Sequence, residues 1–311
     1  MFDLLVVGDA NPDVIVGPVD GPLAFGQRER LVSSGALTIG GSAAITACGA
    51  ARLGLSVAFA GRVGDDDAGH YLRTALADRG VNTDALTTDP DLPTPLTVVL
   101  TRGDDRAMLT APGVLAATTA CDVPPDLVAA VRHVHVASYF LMPQLARSLP
   151  CLLQLAHRHG ATTSLDTNDD PAGEWAGVAD VLSHVDILLP NAAEALHLAP
   201  APTVAEAAAS LAALGPLVAV KDGVAGALCH TGTELLHTKG IAVSPVDSVG
   251  AGDTFDAGFL AGVLRGLPTA TALDLAAVCG ALSTLDRGGT ACQPTWADAM
   301  SHLPLDGEAP A

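Results

Sequence analysis

Short apolar runs alternate with stretches of helical periodicity along most of this chain, and that alternation restricts the fold more than any other feature. Leu4–Val7, Ser56–Phe59, His133–Ala137, Thr162–Asp166, Ile187–Leu189 and Leu217–Lys221 read as strands. Between them, Ala43–Leu53, Ala68–Arg79, Leu145–His159 and Val204–Leu214 carry apolar residues at helical spacing. This order predicts an α/β fold: a mostly parallel central sheet covered on both faces, giving three α/β/α layers. Residues 13–36 and 94–111 break the pattern. Within the second, Leu96–Thr101 and Arg106–Thr110, joined by Gly103-Asp104-Asp105, predict a hairpin. These β segments are expected to form a small lid standing off the main sheet. No tandem repeat or long linker is visible, so residues 1–311 are expected to be a single domain carrying that lid.

Composition narrows the partners. The 311 residues are 49% hydrophobic, enough to bury a large core. A formal net charge of −19 argues against nucleic acid and anionic membrane surfaces, because the summed field repels both. Any phosphate site must then be built from local N–H groups and a few selected cations. Cys48, Cys121, Cys151, Cys229, Cys279 and Cys292 lie far apart with no Cys-x-x-Cys pair, which suits buried reduced thiols better than zinc or disulfides. The opening residues Met1–Gly8 contain an early acid and too short an apolar run for a signal peptide. The uncharged stretch from Ser33 to Ala51 is too rich in Gly, Ser and Thr to span a membrane, so a cytoplasmic location is expected.

Chemistry-bearing residues gather at the ends of the expected strands, where ligands bind in parallel sheets. Gly250-Ala251-Gly252 is followed at once by Asp253 and then by Phe255, Phe259, Leu260, Val263 and Leu264 at helical spacing. A glycine-rich turn opening a helix aims N–H groups and the positive end of the dipole at one point, which suits a phosphoryl group. Asp253 is then either a helix cap or a base for a hydroxyl attacking phosphorus. Asn11 and Asp13 after the first strand read as a turn or as partners for polyol hydroxyls, and Gly40-Gly41-Ser42 as a helix opening or a close approach to a ligand. Asn191 and Glu194, three apart, suit a capping box or a hydrated Mg²⁺. Lys221, leaving a strand into Gly223 and Gly226, reaches either solvent or a polyphosphate.

Taken in order, these motifs resemble the ribokinase-like (PfkB) family of carbohydrate and nucleoside kinases. The resemblance rests on Gly8-Asp9 with Asn11 and Asp13, Gly40-Gly41-Ser42-Ala43-Ala44, Gly61-Arg-Val-Gly64-Asp65-Asp66, Asn191-x-x-Glu194, Lys221-x-Gly223-x-x-Gly226 and Asp247-x-x-Gly250-Ala251-Gly252-Asp253-Thr254-Phe255. It spans nearly the whole chain and implies an ATP- and Mg²⁺-dependent kinase acting on a hydroxyl of a sugar or sugar-like molecule. It implies Asp253 as the general base, with Gly250, Ala251 and Gly252 as the anion hole. Asn11, Asp13, Gly40 and Gly41 would meet the sugar, and Lys221, Gly223 and Gly226 would line the ATP site. Asn191 would act with Glu194, which organises Mg²⁺ through water, and Asp247 lies where many relatives hold a monovalent cation such as K⁺. The lid would close over the sugar and serve as a homodimer interface.

One departure bears on the acceptor. Many sugar kinases of the family read Gly-Gly-x-x-x-Asn, with the Asn touching sugar hydroxyls, whereas here Ile45 follows Gly40-Gly41-Ser42-Ala43-Ala44. An isoleucine makes no such contact, so simple ribose or fructose is a poor expectation. A nucleoside is the alternative acceptor, although the lid offers few aromatic residues beyond Phe25 to stack on a base. A non-catalytic binder on the same fold is the alternative of another class, against which the retained Asp253 speaks. His133 and His135 share one face of a strand and show no metal-ligand spacing with other residues, which points to core roles.

Overall fold

The computed structural model describes residues 1–303 except positions 24 and 104. In chain order the strands are β1 (Phe2–Val7), β2 (Asn11–Gly17), β3 (Ser34–Gly40), β4 (Val57–Gly64), β5 (Val81–Asp89), β6 (Leu96–Arg102) and β7 (Asp105–Ala111). Then follow β8 (Val131–Val136), β9 (Thr162–Leu165), β10 (Ile187–Leu188), β11 (Leu217–Lys221), β12 (Ala227–His230) and β13 (Leu235–Thr238). The longer helices are α1 (Ser42–Arg52), α2 (Asp67–Ala77), α4 (Pro143–Arg158), α7 (Val204–Ala212), α8 (Ala251–Leu264) and α9 (Thr269–Ser283). Short ones are α3 (Pro125–Val128), α5 (Val178–Leu182), α6 (Ala192–Leu198) and α10 (Trp296–Met300).

Nine strands form the main sheet in the order β13-β12-β11-β10-β9-β8-β1-β4-β5. From β5 to β11 all neighbours are parallel, and only β12 and β13 run antiparallel. Successive side chains of a strand point to opposite faces, and β1 shows the result. Leu4 and Val6 enter one core with Phe59, Phe259 and the helices α1, α8 and α9. Leu5 and Val7 enter the other with Val134, Leu188 and the helices α4 and α7. Strands apolar at every position are what a sheet covered on both faces requires. This is the expected three-layer α/β/α architecture.

The six expected strands are β1, β4, β8, β9, β10 and β11, with β4 running past Phe59 to Gly64. The expected helices are α1, α2, α4 and α7. A separate four-stranded sheet, β3-β2-β6-β7, is the small sheet expected from the irregular regions. Its β6–β7 pair is the expected hairpin, in register from Leu96↔Ala111 to Arg102↔Asp105, with Asp104 of its turn outside the described residues. Strands β2 and β3 begin and end beyond the expected 13–36, because Asn11↔Gly40 closes their antiparallel ladder. The intervening segment holds no strand among its described residues, and its Ala24 is outside them. No described helix is long and apolar enough to cross a membrane.

Cys48, Cys229 and Cys279 are buried free thiols, whereas Cys121 and Cys151 are exposed on the outer faces of their segments. His133 and His135 are fully buried. His133 bonds Thr162 at 2.6 Å and Ser164 at 2.7 Å, and His135 bonds Ser164 at 2.8 Å. Burial pushes their imidazoles down to about 3 and about 4, so both are neutral at pH 7.

Small residues set how closely α8 packs on its neighbours. A Cβ on Gly258 would lie 2.9 Å from Cys279 Cβ and 3.0 Å from Ala276 Cα on α9. On the other side, a Cβ on Gly49 of α1 would meet Ala257 Cβ of α8 at 2.9 Å. These contacts fix where the first turn of α8 points. Gly258→Val should cost about 1–3 kcal/mol by overpacking. The check is the urea unfolding midpoint, which should fall with an unchanged slope.

Candidate active site

The site begins where α1 and α8 present their N-termini to each other at the C-terminal edge of the sheet. Gly250 caps α8 with φ +72, a left-handed conformation that disfavours side chains. A Cβ there would also lie 2.6 Å from Gly289 Cα. Ala251, Gly252 and Asp253 form the first turn, and Asp253 is only 9% exposed. Its carboxylate accepts the hydroxyl of Ser42, the first residue of α1. Asn168 donates to that same hydroxyl at 2.9 Å and is itself held by the Ser138 N–H at 2.7 Å. Asp9, at the end of β1, accepts the N–H groups of Ser42 at 3.2 Å and Ala43 at 3.0 Å. It therefore supplies the cap that Gly41 cannot give α1.

Beside this centre, β2 carries the next pair. Asn11 donates to Asp13 at 2.8 Å and to Thr97 of β6 at 3.1 Å. All three side chains are buried. A Cβ on Gly40, opposite on β3, would overlap the Asp13 carboxylate, so glycine there is what admits the acid. Burial, then the negative charge of Asp9, push Asp13 up to about 7.

On the other side, Asn191 and Glu194 form a complete capping box on α6. Asn191 N–H donates to Glu194 Oε2 at 2.8 Å, and Glu194 N–H to Asn191 Oδ1 at 2.9 Å. The Asn191 amide adds a third bond to Oε1 at 2.6 Å. Burial, then the charge of Asp166, raise Glu194 to about 7. A cap thus also places a buried carboxylate at the cleft, and its hard oxygens are of the kind Mg²⁺ takes.

The Lys221 side chain is 11% exposed, and its ammonium is paired within the site. It lies 2.7 Å from Asp166 Oδ2 and 3.1 and 3.2 Å from the two oxygens of Asp256. Desolvation opposes its charge, but Asp166, Asp256 and Glu194 outweigh it and hold the ammonium above its usual range. Burial alone would raise Asp166, yet Lys221 keeps it ionised, while burial drives Asp256 well upward. Gly223 and Gly226 shape the turn between β11 and β12 with φ +54 and +93. Asp247, before α8, accepts the N–H of Val249 and of Gly288, each at 3.0 Å. Arg106 of β7 reaches across from the small sheet to within 3.9 Å of it and donates to Ser248 at 3.1 Å.

Ile45 is 3% exposed. Its Cγ2 would lie 3.1 Å from a Cβ on Gly250, and its Cδ1 2.5 Å from one on Gly289. It braces the glycine turn against the loop that carries Gly289.

The pfkB family carbohydrate kinase profile matches residues 1–296. The chain belongs to that family. It is 32% identical over 306 residues to an ATP-dependent ribose-1-phosphate kinase of Halopiger xanaduensis, covering 97% of each chain. It is 32% identical over 282 residues to a fructokinase of Klebsiella pneumoniae, covering 85% of this chain and 91% of that one. Among solved structures, Arabidopsis thaliana ribokinase complexed with ribose and ATP superposes with a TM-score of 0.84 at 25% identity, over 98% and 99% of the two chains. The protein is therefore a carbohydrate kinase, a phosphotransferase with an alcohol group as acceptor.

Within this pfkB kinase, Asp9, Ser42, Asn168, Asp166 and Asp256 join the site without having been assigned to it by sequence. Asp9 and Ser42 stood in the motifs that carry the resemblance, and Asp256 left a further signal. Three residues after Asp253 on one helix, it had to share that residue's face. Oxygens of Asp166, Asp253 and Asp256 lie within 4.8 Å of one another. Burial first, then Asp166 and Asp9, push Asp253 up from 3.8 to about 7, against the opposing effects of Ser42 and Lys221. A carboxyl raised on folding contributes stability that is full below about pH 4 and lost as pH rises through about 7. Asp253→Asn escapes that loss. Its Tm relative to the parent should therefore rise between pH 5 and pH 8, read by thermal melts at both values.

Proposed function

We propose that this kinase transfers the γ-phosphoryl group of ATP to a hydroxyl of a sugar or sugar-like alcohol, with Asp253 as general base. The carrying observation is a carboxylate, raised to about 7 and already receiving a hydroxyl, in the first turn of a glycine-capped helix. A carboxylate beside the positive end of a dipole would ordinarily be acidic. Its high proton affinity suits a group that must take a proton near neutrality. The Ser42 hydroxyl that Asp253 receives supports its capacity to accept from a hydroxyl.

The remaining assignments follow the geometry. The N–H groups of Gly250, Ala251 and Gly252 open the anion hole for the moving phosphoryl group. Bound MgATP supplies the electrophilic phosphorus and the divalent charge that offsets the phosphate oxygens. Glu194, oriented by Asn191, would accept hydrogen bonds from water around that Mg²⁺, and the turn bearing Gly223 and Gly226 would border the nucleotide. Asn11 and Asp13, with the backbone of Gly40 and Gly41, receive the sugar, since a buried acid near its midpoint can both accept from and donate to hydroxyls. Asp247 is the carboxylate for a monovalent cation such as K⁺, beside the guanidinium of Arg106. The small sheet acts as the lid. Its exposed Leu37, Met108 and Leu109 on the edge strands β3 and β7 support a homodimer through that face.

Asp253→Asn should keep MgATP binding by calorimetry and lose about 10²–10⁴-fold in turnover. In the parent, kcat/KM should climb with pH and level off above about 7, as Asp253 loses its proton. The acceptor is found by coupled ADP release over free sugars, sugar phosphates and nucleosides. Near-parental turnover in Asp253→Asn with the best acceptor would overturn the base assignment. MgATP binding without ADP release from any of these acceptors would favour a non-catalytic binder.

A further inference from the structure

Lys221 and Asp256 are buried titratable groups that the proposed phosphoryl transfer leaves without a task. The Lys221 stem leaves β11 and runs under the first turn of α8. A Cβ on Gly252 would lie 3.4 Å from Lys221 Cδ and 3.6 Å from Nζ. The side chain is 11% exposed, and those of Asp166 and Asp256 are 2% and 0% exposed. Its head is fixed by the two carboxylates described above, so its donors point into the protein. Asp256 lies one turn along α8 from Asp253, on the same face.

We infer that Lys221 is the internal counterion of the reaction centre: its ammonium, locked between Asp166 and Asp256, charge-balances and positions Asp253 and does not contact the nucleotide. The inference deepens the reading of Asp253 as base and rests on it for its catalytic meaning, though not for its electrostatics. The charged groups facing Asp253 come from four elements: Asp9 after β1, Asp166 after β9, Lys221 on β11 and Asp256 on α8. Three are acids. Lys221 is the one cation among them, and it acts through Asp166 and Asp256 as a positioning residue. Without it, ionised Asp166 would stand beside Asp253 uncompensated, and Asp253 would hold its proton more tightly. Without Asp166, the ammonium would be left in excess, and Asp253 would release its proton more easily.

These opposite signs make the test. The Asp253 carboxyl is followed by ¹³C NMR in aspartate-labelled, substrate-free protein from pH 5 to 9, assigned by its loss in Asp253→Asn. The parent midpoint is expected near 7. Lys221→Met should move it up by about one pH unit and Asp166→Asn down by about one, and the double variant should return it near the parent. If Lys221→Met does not fold, by circular dichroism, the downward move in Asp166→Asn and the return in the double variant carry the test. Calorimetry with MgATP should show less than about a threefold change in Kd for Lys221→Met, about 0.7 kcal/mol. Midpoints that do not move, or move in the same direction in both single variants, overturn the inference. So does a tenfold loss of MgATP affinity with the Asp253 midpoint unmoved, which would make Lys221 a phosphate ligand. Near-parental turnover in Asp253→Asn would instead remove the base reading while leaving the NMR result standing, so the two failures are separable.

Discussion

Three carboxylates brought within 4.8 Å of one another in a buried site are the constraint on which the rest of this centre depends. Such a cluster is unfavourable unless charge is neutralised locally, because desolvation and mutual repulsion both oppose ionisation. The protein meets this in three ways. Lys221 keeps Asp166 ionised, Asp256 holds its proton, and Asp253 is left near the middle of its titration. A group with that proton affinity can change state during a reaction cycle at neutral pH. The fold spends buried charge to put it there.

Net charge sharpens the same point. A chain of formal charge −19 repels phosphates at long range, so attraction for them must be built within a few ångströms. In the proposed mechanism the glycine-capped start of α8 would do this without adding a cation to the cleft, because oriented N–H groups carry partial charge with no counterion of their own. Close packing makes the device rigid. Gly258 and Gly49 let α9 and α1 approach α8 from two sides, and Ile45 wedges the Gly250 turn against Gly289. Backbone dipoles stabilise a moving phosphoryl group only as well as they are held.

How much of this was legible in the sequence depended on whether a residue's environment was local. Strands β1, β10 and β11 announce themselves because burial on both faces makes each a nearly continuous apolar run, and β4 begins with one, whereas β8 and β9 carry buried His, Thr and Ser among their apolar positions. Edge strand β5, with its Val-Asn-Thr-Asp-Ala-Leu-Thr-Thr-Asp, and the short antiparallel β12 and β13 carry no such mark. Helix α9 is apolar on nearly all sides because it packs against α8, α10 and the sheet edge, so it lacks the one-sided period that identifies a surface helix. Motifs ending strands located the cleft, since glycine turns and caps are local chemistry. Partners across long stretches of chain were not legible. Nothing near Lys221 says that Asp166, 55 residues away, and Asp256 will enclose it, and nothing near Asp253 points to Ser42, 211 residues away.

Ile45 shows how a correct observation about sequence can concern a different part of the molecule. Ile45 stands where the pattern Gly-Gly-x-x-x-Asn of many relatives has its Asn, and it cannot make that residue's hydrogen bonds. The side chain packs against the turns of Gly250 and Gly289 and is 3% exposed. On the proposed reading, recognition of hydroxyls would fall to β2 and β6, where Asn11, Asp13 and Thr97 already share donors and acceptors. Because those strands belong to the small sheet, acceptor recognition and lid position would then be built from the same hydrogen-bonded ladder. An acceptor that paired with Asp13 would bear on the strands that close over it, whereas a phosphoryl-transfer end fixed by α8 would stay where packing put it.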